Sequence, residues 1–440
     1  MTEQLFHTRR EFIRSTLLGG AVCGVMPAFL SQTVSALTDA ANGSLIQTPT
    51  GKEDPILVAV QLAGGNDGLN TVIPYRDDLY YKARPRLGIP AGQVLPLNDL
   101  LGLHPRLEKL KALYEEGLMC VQQGVGYPNP NRSHFRSTEI WQTASESTEV
   151  LRNGWIGRYF DNFCSGEDAS VGLALKDEMP QAFVSDSHKG IAFKNINQYT
   201  LKGVEQNRML RASENDEEFF DAMNGMDDGG SVSSLGHSAP PPGVSALDYL
   251  EKVAMNARVS SEEIQAILKN HQVGQAFPRT SFGNDLASIA QLIGSGYSTR
   301  IYFANLGGFD THANQLGAHG NLMEVFSEGI HAFMKEMQAQ GNDRRVLVMV
   351  FSEFGRRVKE NASQGTDHGA AAPLFLFGKS VRAGLHGRTP SLAEEDLHRG
   401  DLQHTTDFRS VYATVMRRHL GVDGTSVLGR SFPELECLQA

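Results

Sequence analysis

Cysteine is scarce in this chain, four residues in 440, and no two of the four stand in a CxxC pair. A zinc knuckle, a dithiol redox motif and a multi-bridge disulfide framework are therefore excluded. Cys120, Cys164 and Cys437 lie beyond the N-terminal segment that holds Cys23, so at most one disulfide can form among them. Blocks of lysine and arginine are also missing, and the net charge is -10, which argues against a nucleic-acid partner. Beyond the first 36 residues no apolar run approaches the roughly 20 residues needed to cross a bilayer. The mature chain is expected to have no stable membrane span.

What is present begins at the N-terminus. Thr8-Arg9-Arg10-Glu11-Phe12-Ile13-Arg14 precedes a small-residue apolar run from Leu17 to Leu30 and the cleavage-like Val34-Ser35-Ala36. A basic start, a short Gly-rich apolar middle and small residues at the cut make a secretory leader, and the paired arginines make it a twin-arginine signal over 1–36. The expected first partner is the twin-arginine translocase, which carries folded passengers to a periplasmic or extracellular destination. Gly20-Ala21-Val22 before Cys23 lacks the pattern of a lipid-attachment site. A linker over 37–53 and one large α/β domain over 54–440 follow, with 40% hydrophobic residues to build its core.

Ile56 to Leu62 reads as a buried strand ending in Gly64-Gly65-Asn66-Asp67-Gly68. Pro105 to Glu116 has helical leucine spacing, Met119 to Gly124 reads as a strand, and a polar loop leads into a helix from Ser133 to Thr143. From about Cys164 to Gln275 the chain turns polar, with an acidic run at Glu214 to Glu218 and a flexible loop at Gly225 to Val244. Helical pieces at Ala246 to Ala257 and Ser261 to Leu268 make this segment an insertion or lid on the main sheet. The α/β pattern resumes with helices at Leu286 to Ile293 and Leu322 to Gln340, and strands at Arg300 to Leu306, Arg345 to Phe351 and Ala372 to Phe377.

Loops bordering these strands carry the chemistry, as expected at the strand ends of an open α/β sheet. Asp310 and His312, two apart after a strand, can reach one cation; a helix-capping Asp310 beside an exposed His312 is the structural alternative. Asp367-His368 between Gly365 and Gly369 is a second such pair, or an ordinary turn. Glu353 follows the most hydrophobic strand, where it needs either a cation or Arg356 or Arg357 as its partner. Asp67 is a ligand candidate inside a turn-like sequence. Ser133, at a helix start, is a candidate nucleophile or a plain cap, and Arg132, His134 and Arg136 beside it can hold an anionic ester. This inventory suits one or two divalent cations.

Taken together, the leader, Gln61-Leu62-Ala63-Gly64-Gly65-Asn66-Asp67-Gly68, Asn131-Arg132-Ser133-His134-Phe135, Gly308-Phe309-Asp310-Thr311-His312, Ser352-Glu353-Phe354-Gly355-Arg356 and Gly365-Thr366-Asp367-His368-Gly369 resemble a known family. It is the twin-arginine-exported bacterial "domain of unknown function" family placed within the alkaline phosphatase and sulfatase superfamily, and the resemblance runs from about Leu57 to Leu420. It implies a doubly wound, mostly parallel α/β sheet of alkaline-phosphatase-like fold with helices on both faces. It also implies a metal-dependent hydrolase of phosphate or sulfate esters, with Ser133 or a metal-bound water as nucleophile. Asp310, His312 and His368 would form the first metal site, Asp67 and Glu353 a weaker second one, and Asp367, His134, Arg132 and Arg356 would bind substrate or orient ligands. Phe354 stands where the superfamily places a ligand imidazole, and the surroundings of Ser133 lack the Cys/Ser-x-Pro-x-Arg context in which sulfatases mature their nucleophile. A mixed carboxylate and imidazole site admits zinc, manganese, magnesium or calcium. The rival expectation is a non-catalytic binding or assembly module of the cell envelope that keeps the fold with a degenerate site.

Overall fold

The computed structural model describes residues 54–164, 169–186, 190–193 and 263–439. The leader, the linker, the Gly225 to Val244 loop and the Ala246 to Ala257 helix lie outside the described residues. The element on which the rest is built is β1 (Ile56–Leu62), buried at every position. Alternate side chains divide between two cores, Ile56, Val58, Val60 and Leu62 in one and Leu57 and Ala59 in the other. A strand covered on both faces is almost wholly apolar, here with Gln61 as the exception bonded to Glu353, which is why its sequence shows no alternation.

β1 is flanked in parallel by β8 (Ile301–Leu306) and β9 (Val346–Phe351). The sheet continues through β10 (Ala372–Phe377), β5 (Met119–Gly126) and β11 (Gly384–His386) on one side and through β6 (Gly172–Ala174) and β7 (Ile191–Ala192) on the other, with β12 (Thr406–Asp407) also beside β5. Among the described residues of this sheet, β10 alone runs antiparallel to its neighbours. β2 (Val72–Ile73), β3 (Leu95–Pro96) and β4 (Gly102–Leu103) make a small separate sheet.

Helices cover both faces, so the fold is a mixed α/β architecture around a mostly parallel sheet. Between the strands of the first half lie α1 (Gly68–Thr71), α2 (Asp78–Ala83), α3 (Glu108–Glu115), α4 (His134–Thr143) and α5 (Trp155–Phe163). The second half adds α6 (Ser281–Ser295), α7 (Gln315–Gln340), α8 (Phe408–Arg418) and α9 (Thr425–Leu428). Leu107, Leu110 and Leu113 join α6 and α7 on one face, while Trp141 of α4 stacks on Phe351 and Phe408 on the other. No helix among the described residues is long and apolar enough to cross a membrane.

Two expectations are corrected here. The insertion does not begin at Cys164, because β6 pairs in parallel with β8, and β7 with β6, which places those strands in the main sheet. The long helix starts at Gln315 rather than Leu322: Gly317 and Gly320 weaken the helical signal of that first stretch, but Gln315 and His319 are buried and tertiary packing holds it.

Three imidazoles, His104 and His319 buried and His419 half-buried, set the acid limit of this fold. Burial pulls His319 and His419 down to about 4, and His104, against the edge of the His319 ring, down to about 3. Their ordinary value is near 6.5, so between those limits the unfolded chain binds protons that the folded chain refuses. Stability is complete above about pH 6.5 and falls as pH drops toward 4, by on the order of several kcal/mol in total. The melting temperature should therefore decline steadily over that interval; a flat profile between pH 7 and 4.5 would show that the rings accept protons in place.

Candidate metal centre

The loops that follow β1, β5, β8 and β9, and the loop that enters antiparallel β10, meet at one edge of the sheet, where open α/β sheets place their sites. Glycines let them touch. A Cβ on Gly64, at φ +117°, would sit 2.4 Å from the Asp310 nitrogen, and one on Gly365 would sit 2.2 Å from the carbonyl carbon of His312.

Asp310 Oδ1 is the centre of the cluster. It lies 2.7 Å from Arg356 Nη2, 3.0 Å from His368 Nε2, 3.0 Å from His312 Nε2 and 3.4 Å from His134 Nε2. His312 Nε2 and His368 Nε2 are 2.9 Å apart. Each ring is held from behind by its other nitrogen. His134 Nδ1 donates to Glu353 Oε1 at 3.0 Å, His368 Nδ1 donates to the Arg132 carbonyl at 2.8 Å, and His312 Nδ1 faces Asp367 Oδ1 at 3.5 Å. The acceptors behind the rings fix Nδ1 as the protonated nitrogen, so the three Nε2 atoms carry lone pairs.

Three lone pairs and a carboxylate oxygen directed into one small volume repel one another. A cation among them removes the conflict, and the donor set fits one. His134 Nε2 is buried and has no hydrogen-bond partner. Ligands 2.0–2.1 Å from a tetrahedral ion stand about 3.3 Å from one another, close to the separations found. His134, Asp310 and His368 thus form a triad able to hold a divalent cation, with His312 adjoining as a fourth donor. The Asp310 and His312 side chains remain 48% and 44% exposed, which leaves the centre open to solvent and ligands.

The electrostatics agree with this arrangement. Partial burial pushes the Asp310 carboxyl up, but the hydrogen bond from Arg356 and its positive charge hold it well below the carboxylate range. The hydrogen bond to Glu353 raises His134 against the opposing effect of burial. Asp367 is lowered by its hydrogen bond from Asn361, whose side-chain amide also donates to the His312 carbonyl.

Other expected site residues are placed differently. Asp67 does not face the centre. Its Oδ2 is 2.7 Å from Arg84 Nη1, with both side chains fully buried, and 2.5 Å from Gln315 Nε2. A carboxylate removed from water needs a fixed partner, and Arg84, just past α2, supplies it. Glu353, 2% exposed, accepts from the Gly64 amide at 2.8 Å as well as from His134. Among the described residues, no donor set for the second cation expected at Asp67 and Glu353 is gathered around them. A buried guanidinium stands close by instead: Arg356 donates to the carbonyls of Gly64, Gly65, Phe309 and Thr366 and to Asp310. Arg132 is not a free anion holder either, because its guanidinium grips buried Asp401 at 2.5–2.8 Å while its carbonyl steadies His368. Ser133 is exposed at the start of α4 and makes no side-chain capping bond.

His134, expected to bind substrate or support the site, instead directs its Nε2 into the candidate triad with Asp310 and His368. Sequence reasoning missed Gln315 altogether, which accepts from Thr311 at 3.1 Å and Thr366 at 2.6 Å and so ties the two histidine loops to Asp67. Asn361 was missed as well. Neither had a local signal, since both are ordinary polar residues whose partners are distant in sequence or set by loop geometry.

Fold and site together define an α/β protein with a solvent-open imidazole and carboxylate centre at the edge of its sheet. The model of a family described as "Protein of unknown function (DUF1501)" matches residues 243–430, a span that contains Asp310, His312, Glu353, Arg356 and His368 but not His134. No curated protein matches the chain. Among solved structures, one similar chain is a protein in the alkaline phosphatase superfamily from Vibrio parahaemolyticus, at 10% identity and TM-score 0.36, covering 92% of this chain and 78% of that one. The PsFucS1 sulfatase from Pseudoalteromonas sp. is similar at 11% identity and TM-score 0.32, covering 93% and 77%. The lipoteichoic acid synthase LtaP from Listeria monocytogenes follows at 11% identity and TM-score 0.33, covering 91% and 83%.

With Arg356 and Arg84 supplying the remaining positive charge, the folded protein should take up one equivalent of zinc or manganese; two tightly held equivalents would contradict this. Glu353→Gln should weaken that binding about 10–100-fold by loosening the hold on His134. Competition with a chromogenic chelator measures both, and unchanged affinity in the variant would separate Glu353 from the centre.

Proposed function

We propose that the chain is an exported, metal-dependent hydrolase of phosphate or sulfate esters working at this centre. The observation that carries the reading is the convergence of three imidazole Nε2 atoms on Asp310 Oδ1, each ring fixed through its other nitrogen, at a solvent-open sheet edge. His134, Asp310 and His368 would hold the cation, with His312 beside them. A bound divalent cation would supply Lewis-acid stabilisation of charge on the ester oxygens.

The protein's own groups have separable tasks. Arg356 keeps Asp310 ionised and fixed in place. Glu353 and the Arg132 carbonyl hold the tautomers of His134 and His368. Ser133, exposed and free of a capping bond, lies in the chain between the carbonyl that steadies His368 and the donor His134, and is the attacking hydroxyl in this reading. Twin-arginine export, argued from the leader, accounts for a mature chain that meets its ester outside the cytoplasm.

Turnover of aryl phosphate and aryl sulfate, with zinc, manganese, magnesium and calcium in turn, tests the activity. Ser133→Ala should lose about 10³-fold or more in turnover while keeping metal content and melting temperature, because no capping bond is removed. His368→Ala should lose metal and turnover together. A metal-loaded wild type inert on both esters would favour the envelope binding module. Independently, replacing Arg9 and Arg10 by lysine should leave the precursor in the cytoplasm; normal export and trimming of that variant would remove the leader reading.

A further inference from the structure

Away from the metal centre, two cysteines from opposite ends of the described chain meet in the core. Cys120 is the second residue of β5, opposite Leu376 of β10 and Gly384 of β11. Cys437 belongs to the C-terminal tail, which is pinned on both sides of it. Arg382 N donates to the Cys437 carbonyl at 3.0 Å, Gln439 N donates to the Ser380 carbonyl at 2.8 Å, and Val381 and Leu438 form an antiparallel bridge. Arg418 Nη1 adds a bond to the Leu438 carbonyl at 3.0 Å. Both cysteines are fully buried in the same hydrophobic cluster, near enough for each thiol to act on the other. Cys164 lies elsewhere, at the C-terminal end of α5.

We infer that Cys120 and Cys437 form a disulfide when the folded protein meets a disulfide oxidant, stapling the C-terminal tail to β5. A chain exported folded leaves a reducing compartment with its native contacts made, so a pair already brought together in one cluster needs no folding step to close. The tail is the movable partner: Phe432 to Glu436 are exposed or half-buried, so local opening at this end exposes Cys437 before Cys120.

The exchange balances as two steps. The Cys437 thiolate attacks one sulfur of a small disulfide, forming a mixed disulfide and releasing one thiolate, which takes up the proton Cys437 gave up. The Cys120 thiolate then attacks Cys437 Sγ and expels the second small thiol, protonated in turn. Two electrons pass from the cysteine pair to the oxidant, which leaves as two thiols. The closed loop spans most of the domain, the case in which a cross-link most restricts the unfolded chain.

The test uses the purified folded chain and oxidised glutathione. After incubation, free thiols are alkylated in denaturant without reductant and each cysteine is mapped by peptide mass. The expected result is a cross-linked peptide pair containing Cys120 and Cys437, with Cys164 alkylated, and a melting temperature raised by roughly 5 °C that reductant reverses. In Cys437→Ser the same treatment should leave the melting temperature unchanged. Alkylated Cys120 and Cys437, stable glutathione adducts on either, or a link through Cys164 would each overturn the inference. The mapping on wild-type protein decides the matter even if the variant folds poorly, and it is independent of any activity at the metal centre.

Discussion

The functional edge of the sheet is held by one buried guanidinium. Arg356 reaches the loop after β1 through Gly64 and Gly65, the loop after β8 through Phe309 and Asp310, and the loop before β10 through Thr366. A charge at 1% exposure is costly unless every N–H finds an acceptor, and here carbonyls and one carboxylate provide them. The same bonds that satisfy the arginine thus fix three loops from distant parts of the sequence. Without it, Asp310 would lose its anchor and the Gly64 and Gly65 carbonyls would be left facing a low-dielectric interior.

Because that positive charge is built in, the centre needs less from outside than a two-cation site would. Arg84 neutralises Asp67 and Arg356 neutralises part of Asp310, which leaves the converging Nε2 lone pairs as the feature still to be compensated. One carboxylate stands among three imidazoles, so a divalent ion would meet a donor set with a single formal negative charge. The donors then contribute one negative charge against the two positive charges of such an ion, a balance that does not repel an anionic group.

Much of this fold was legible because it is carried by strands covered on both faces. β1, β9 and β10 are short apolar runs bounded by polar loops, and their ends were read within a residue of where they lie. Direction was not legible: nothing in the Ala372–Phe377 run distinguishes an antiparallel strand from a parallel one, since both bury the same side chains. β6 and β7 were missed because two or three residues carry no periodicity. At the candidate site, Asp310, His312 and His368 were legible from their positions at strand ends, whereas Glu353, read as a ligand, stands behind His134. The partner of Asp67 was not, because Arg84 is one arginine among many until the chain folds and puts the two together.

What the sequence could not express is the division of this edge into two layers. The lower layer, Asp67, Arg84, Gln315, Thr311 and Thr366, is buried and mutually hydrogen-bonded. The upper layer, His134, Asp310, His312 and His368, is half-open and has few bonds to spare beyond those that orient it. Gln315 and Arg356 join the two, the first through the threonines next to His312 and His368, the second through Asp310. Such a construction gives the upper layer freedom to exchange solvent, ion and ligand while the lower layer keeps the loops in register. It also explains why residues of similar chemistry have unlike fates: Asp67 and Asp310 both follow β-strands, but one is sealed beneath the loops and paired for stability, and the other stands above them where its charge remains available.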